Sequence, residues 1–397
     1  MAHIHPFKAH RPHPEFLEDI FCVPYDVINT DEARKMAEGK PYSFLRVIRP
    51  EIDFPTGTSL YEQQIYERGR DNLKELIHSE RLIQEDEPSV YIYRMETDRS
   101  SQTGIFTCVS VEDYDQGVIL KHELTRPDKE DDRTKHILTQ QAHAEPVMMT
   151  FRDTQNITEL IYSEAETANA LYEFKDEQGV RHKIWKSPAM EEYIERFGGI
   201  KHLYIADGHH RCKSASRVAH LLKEHITEDL DKEEFMYFPA VIFPMNEMHI
   251  LPYNRIVYKL PNNFMESLEE QFGKLIPADA EPDTKGQIRI YLDGSWYKID
   301  LPESSGSDPA SEMDVSRLQE FLLEPLLGIK DQRRDQNLFF VGGSRGTTEL
   351  EKLVNEGKAE MAISMYPTSI QELIEVSDAG LLMPPKSTWF EPKVKSG

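Results

Sequence analysis

Cysteine is scarce in this chain: Cys22, Cys108 and Cys212 are its three in 397 residues. That is too few for a disulfide scaffold and points to a reduced, cytoplasmic setting. No apolar run approaches the roughly 20 residues needed to cross a bilayer. The amino-terminal MAHIHPFKAHRPHPEF has no apolar centre of the secretion-signal kind. Basic residues are outnumbered, 46 Lys and Arg against 70 Asp and Glu, for a net charge of −24. A surface of that sign disfavours sequence-independent nucleic-acid binding and adhesion to anionic membranes. It leaves room for a small anion held by local charge. Also missing are a Walker A loop, a protein-kinase signature set, a dinucleotide fingerprint, an HExxH pair and any CxxC pair. No repeat recurs at solenoid spacing.

What is present is globular: 39% hydrophobic, 10% aromatic and 29% charged. The length suggests roughly two or three domains, or one large core with attachments. SVYIYRMET and GIFTCVSVEDY read as a strand hairpin, SLYEQQIYERGRDNLKELIHSERL as a long amphipathic helix, and TDEARKMAEG as a short helix with Thr30 at its cap. IRIYLDGSWYKIDL alternates around Asp-Gly, a strong hairpin signal. PESSGSDPASEM, Pro302 to Met313, has the composition of a linker. Beyond it, LFFV, GGSRG, TTELEKLVNEG, KAEMAISMYP and TSIQELIEVSDAG read as strand, glycine turn, helix, strand, helix. The expected fold class is α+β, with a main body over residues 1–302 and a C-terminal βαβα unit with an extended tail over 314–397.

Three stretches carry candidate chemistry. GGSRG, Gly342 to Gly346, matches the nucleophile elbow of α/β-hydrolases. That fold needs a histidine after the serine, and the last histidine here is His249, so the hydrolase reading fails. The remaining readings are an anion-holding helix start and an ordinary tight turn. KHELTRPDKEDDRTKH, Lys121 to His136, carries five basic and five acidic residues and two histidines. It reads as a charged loop, either merely solvated or offering Asp128 and its neighbours to Mg²⁺ and Arg126 and Arg133 to phosphate. IADGHHRCKSA, Ile205 to Ala215, is the sharpest signal. A buried strand ends in Asp207 and Gly208, and His209, His210 and Arg211 open a helix. Backbone N–H groups, imidazoles and a guanidinium are gathered at a helix N-terminus with a carboxylate beside them, which describes a phosphate cradle. The bland reading is a helix start capped by Asp207. Cys212 lacks a second ligand pair and reads as structural.

FCVPYDVI, YSFLRVIRPEID, HELTRPDKEDDR, IADGHHR, YNRIV, FFVGGSRG and MPPKSTWFEPK together resemble a widespread bacterial and archaeal family known only as a domain of unknown function. The likeness spans essentially the whole chain. Within it, DGHHR followed by a helix is similar to the phosphate-binding turn of the ParB/sulfiredoxin superfamily, whose members include CTP-hydrolysing partition proteins, ATP-dependent sulfiredoxins and kinases of free serine. The resemblance implies ParB/sulfiredoxin-like core elements, with Gly208, His209, His210 and Arg211 on nucleotide phosphates and Asp207 near the metal or the acceptor. Sulfiredoxins place a cysteine before the histidine of this turn, where this chain has Gly208, and partition proteins carry a helix-turn-helix that is not found here. The serine-kinase branch therefore fits best.

The expectation is an Mg²⁺-dependent phosphotransferase moving phosphate from a nucleotide, ATP first, to a small hydroxyl metabolite such as free L-serine. Asp207, Glu123 and His210 are the catalytic candidates. Gly208, His209, His210, Arg211, Arg126 and Arg133 are the nucleotide candidates, and Asp128 and Asp207 those for metal. The alternative is a CTP- or ATP-binding switch without small-molecule turnover. A kinase must enclose its acceptor, so the 121–136 segment should approach the DGHHR turn, and a switch has no such need. Lys386, Ser387 and Trp389 of the tail are candidates to line the same pocket, or the tail simply packs.

Overall fold

The computed structural model describes residues 1–98, 100–224, 230 and 233–397. The architecture is mixed α+β. The chain divides into two compact units, one holding Met1–Leu120, Thr125–Met248 and Pro392–Gly397, the other Lys121–Leu124 and His249–Glu391. Among the described residues no helix is long and apolar enough to cross a membrane.

The first unit is built on a nine-stranded sheet. Its order is Ile119–Leu120, Leu203–Asp207, Val147–Phe151, Tyr237–Pro244, Ser101–Ser110, Tyr91–Glu96, Arg181–Lys186 and Tyr172–Lys175, with Ile4–His5 also on Ser101–Ser110. The expected hairpin is there, with Tyr91 opposite Phe106. The central strands read as continuous apolar runs because both faces are covered: every residue of Val147–Phe151 is buried, and all of Leu203–Asp207 except Asp207.

Three strands place the candidate site. Leu203–Asp207 runs parallel to Ile119–Leu120, with Leu203 opposite Ile119. It runs antiparallel to Val147–Phe151, where the register shifts so that Asp207 faces Met148. The exits of the first two strands and the entry of the third therefore lie at one end of the sheet. The helix His209–Lys223 starts there.

The segment expected as a charged loop is helical from Pro127 to Gln140. Proline suits a first helical position, and Asp128 and Glu130 complement the N-terminal dipole. The buried face consists of Arg133, Thr134, His136 and Gln140. A polar buried face leaves no apolar period to read, so the sequence pattern hid the helix. The Gln140 side chain meets part of that burial by donating to the Val47 carbonyl at 2.8 Å. Near the N-terminus, the helix Thr30–Met36 is capped by Asn29 through a reciprocal bond set with Glu32, one residue ahead of the expected cap.

The second unit carries a six-stranded antiparallel sheet in the order Ile276–Pro277, Ser295–Asp300, Gln287–Leu292, Met361–Met365, Tyr253–Val257, Leu338–Gly342. The Asp293-Gly294 hairpin forms as read, both residues with positive φ. Leu338–Gly342 and Met361–Met365 each pair with Tyr253–Val257, which lies between them, so the expected βαβ is split by an earlier strand. Strands from both sides of the 302–313 stretch share this one sheet, and that stretch runs inside the unit. The His122 carbonyl accepts from the Met383 N–H at 2.8 Å, which ties 121–124 to the same unit.

Candidate functional site

The site is built on the turn from Leu203–Asp207 into His209–Lys223. Gly208 is the residue before the helix and has φ of 101°, a left-handed value that favours glycine. A Cβ there would lie 3.0 Å from Val147 Cγ1 and 3.0 Å from Arg211 Nε. Conformation and space both require glycine at this position.

A second helix start lies against the first. The Arg126 backbone N–H, at the residue preceding the helix Pro127–Gln140, donates to His210 Nε2 at 3.1 Å. That nitrogen accepts, so it carries no proton in this arrangement. Farther along, Ser214 Oγ donates to the Glu130 carbonyl at 3.1 Å, and Arg217 pairs with Glu130 at 3.3 Å and Asp131 at 2.6 Å. Neither helix start is capped by a side-chain hydrogen bond from its own N-cap residue. Two positive dipole ends and their backbone donors thus meet at one end of the sheet.

Beneath the turn is a cluster of charges. Arg211 donates through Nη2 to Asp207 Oδ2 at 2.8 Å and through Nη1 to the Pro146 carbonyl. Asp26 of the PYD stretch lies 3.9 Å from Nη2. The buried Arg211 Nε has no hydrogen-bond partner among the described residues. It is one of the two atoms that lie 3.0 Å from the Cβ that glycine lacks at 208, so a buried donor packs against the turn. Lys393 reaches the other Asp207 oxygen, Oδ1, at 3.2 Å. Burial alone would raise the Asp207 carboxyl, but Lys393 and Arg211 outweigh it and hold it well below the usual carboxylate range. Burial likewise opposes charge on Arg211, yet Asp26, Asp207 and Glu145 raise its pKa further.

A cleft runs under Arg211, lined among others by Arg133, His136, His143, Glu145, Val147 and Phe238. Burial raises the Glu145 carboxyl against the opposing pull of Arg211 and Arg133. Glu145 accepts from the Tyr25 N–H at 3.1 Å and lies 3.7 Å from Arg133 Nη1. Arg133 also pairs with Asp132 at 2.7 Å and stacks over the Tyr25 ring at 4.1 Å. Burial lowers His143 to about 4 and puts His136 well below the ordinary imidazole value, so both are neutral near pH 7.

Asp207, Gly208, His209, His210, Arg211 and Arg126 thus sit at the two helix starts, and Arg133 lies in the cleft beneath. Asp128 is on the exposed side, paired with Arg126 at 2.9 Å. Glu123 belongs to the second unit. The residues do not fit a protein-built metal centre: both Asp207 oxygens accept from cations. Among the described residues, no group of three or more His, Cys, Asp or Glu converges. Asp26, Glu145 and Lys393 were missed by the residue-level reading. Asp26 and Lys393 lie inside PYDVI and FEPK, stretches the family likeness had already singled out, whereas Glu145 carries no local signal.

Cys212 is fully buried, and burial pushes its thiol up to about 12, so it offers no thiolate at neutral pH. The first two glycines of GGSRG, Gly342 and Gly343, have packing roles in the second unit. A Cβ on Gly342 would lie 2.6 Å from the Trp389 ring, and one on Gly343 would lie 2.5 Å from the Pro252 carbonyl oxygen. Lys386, Ser387 and Trp389 also belong to that unit, where the Lys386 carbonyl accepts from Arg255 at 3.3 Å and the Ser387 carbonyl from Thr368 at 2.9 Å.

The chain belongs to the family described as Protein of unknown function (DUF1015), whose sequence model matches residues 4–318. No curated protein matches it. Among solved structures it is similar to a conserved hypothetical protein from Pyrococcus furiosus, at 13% identity and TM-score 0.38, over 73% of this chain and 92% of that one. It is also similar to a free serine kinase in complex with AMP, at 12% identity and TM-score 0.38, over 72% of this chain and 86% of that one. A third is SbnI with a C-terminal truncation from Staphylococcus aureus, at 12% identity and TM-score 0.40, over 73% of this chain and 84% of that one.

Proposed function

We propose that this DUF1015 member holds the phosphates of a nucleotide, ATP first, at the Asp207–Arg211 turn and transfers a phosphoryl group to a small hydroxyl metabolite, free L-serine first. The observation that carries the reading is the meeting of two helix starts through Arg126 N–H and His210 Nε2, 3.1 Å apart. Such ends attract anions through backbone donors and dipole together. The buried Arg211 Nε–H packed against the turn is a further donor. The approach of the 125–136 part of the charged segment to this turn supports enclosure of an acceptor, which a bare nucleotide switch does not need.

In the transfer, the acceptor oxygen forms a bond to the γ-phosphorus as the bond to the β,γ-bridging oxygen breaks. The nucleoside diphosphate leaves with that electron pair, and the acceptor hydroxyl proton passes to a carboxylate. Asp207, held far below neutral pH, is a weak base. Glu145, raised by burial and lining the cleft, is better matched to take the proton. The likeness of the DGHHR turn to free-serine kinases is what names serine. No step is assigned to a metal on these residues.

The test is turnover of ATP, ADP or CTP in magnesium buffer with and without L-serine, with phosphoserine read by mass spectrometry. The expected result is serine-dependent phosphoserine. Glu145→Gln should lower kcat by about 100-fold or more, and His210→Ala should act chiefly through the nucleotide KM. Nucleotide binding without turnover on serine or a panel of small alcohols would replace this reading with the switch. Absence of nucleotide binding would leave the turn as a structural feature.

A further inference from the structure

We infer that Lys393 is a phosphate-binding residue of the Asp207–Arg211 turn, brought there by the segment Pro392–Gly397; this rests on the nucleotide reading above. The argument begins with what Arg211 already does. Its two terminal nitrogens are engaged by Asp207 and the Pro146 carbonyl, with Asp26 close by, so much of its charge is spent inside the unit. Asp207 leads directly into Gly208 and the helix start, and Lys393 Nζ lies 3.2 Å from its Oδ1. An ammonium carries three donors on a flexible stem, so it can turn from its present partners toward a phosphate oxygen when one is bound.

The approach of Lys393 is fixed by its neighbours. Two residues on, Lys395 Nζ pairs with Asp176 at 2.6 Å, and Asp176 in turn meets His182 Nε2 at 3.2 Å. Ser396 and Cys22 exchange two backbone hydrogen bonds, at 2.9 and 3.0 Å. The segment is therefore pinned on both sides of Val394, one lysine anchored on Asp176 and the other on Asp207 beside the turn. That difference provides an internal control, since each lysine closes an ion pair of the same segment, Lys395 with Asp176 and Lys393 with Asp207 beside the turn.

The experiment compares the full chain with Lys393→Met, Lys393→Arg and Lys395→Met, by calorimetric titration with ATP and by the nucleotide KM. Lys393→Met should weaken ATP binding about tenfold or more, Lys393→Arg should restore most of it, and Lys395→Met should stay within about twofold of the parent while losing comparable thermal stability. Should Lys393→Met not fold, lysine acylation of the parent protein, mapped by mass spectrometry, reads the same point. ATP should protect Lys393 and leave Lys395 unchanged. Equal effects of the Lys393 and Lys395 variants, or no protection of Lys393 by bound ATP, overturn the inference while the nucleotide reading stands. A parent protein that binds no nucleotide overturns both.

Discussion

Replacing Asp207 by asparagine removes the one charge that two cations share. The carboxylate accepts from Arg211 Nη2 at 2.8 Å and from Lys393 Nζ at 3.2 Å, and its side chain is 24% exposed. Removing one partner of a buried pair costs roughly 3–5 kcal/mol because the remaining charge is stranded. Partial exposure places this case at the low end, about 3 kcal/mol. At roughly 2–4 °C per kcal/mol for domains of 150–250 residues, the melting temperature should fall by about 6–12 °C at pH 7. The pH dependence follows from the direction of the shift. Asp207 titrates lower in the fold than in the unfolded chain, so its contribution is complete above about pH 4 and fades as pH drops through the folded value. The gap between parent and Asp207→Asn should therefore be largest near neutrality and shrink below about pH 4. Adding Lys393→Met to Asp207→Asn removes one stranded cation, and the double variant should lose less than the two singles summed, by about 1 kcal/mol. Scanning calorimetry across pH reads both quantities. A melting temperature within about 2 °C of the parent at pH 7, or strict additivity with Lys393→Met, would refute the shared-charge reading.

Two other outcomes follow from particular contacts. Gly342→Ala sets a methyl 2.6 Å from the Trp389 ring, and overpacking of this kind costs typically about 1–3 kcal/mol; urea melts should show that loss, and pairing it with Trp389→Leu should shrink it, whereas an undiminished cost points away from the ring. Burial lowers His143 from 6.5 to about 4, so as pH falls the unfolded chain takes the proton first. Stability present above about pH 6.5 should drain away by up to about 3 kcal/mol between there and pH 4. His143→Gln should flatten that limb of the urea-midpoint profile, and an unchanged slope would remove His143 as its source.

Much of the local structure was legible from residue chemistry. Asp293-Gly294 announces its hairpin because both positions need positive φ, and the apolar lead into DGHHR announces a strand running into a helix. The helix Pro127–Gln140 was not legible, because its buried face is Arg133, Thr134, His136 and Gln140 and period-based reading looks for apolar residues. Glu145 was hidden for a related reason: a single carboxylate in HAEP looks solvated until the strand Val147–Phe151 places it over a cleft.

The order of strands, and therefore the company each residue keeps, belongs to tertiary structure. Residue chemistry alone makes Gly208 the hinge from a strand into a helix start crowded with donors, since backbone sterics and helix dipoles are properties of a short stretch. Only the folded chain decided that this start meets Arg126, 84 positions away, and that Asp207 is neutralised by Lys393, 186 positions away. Pairing in a sheet and docking of an extended segment depend on surfaces far apart in the chain, and no local period records them.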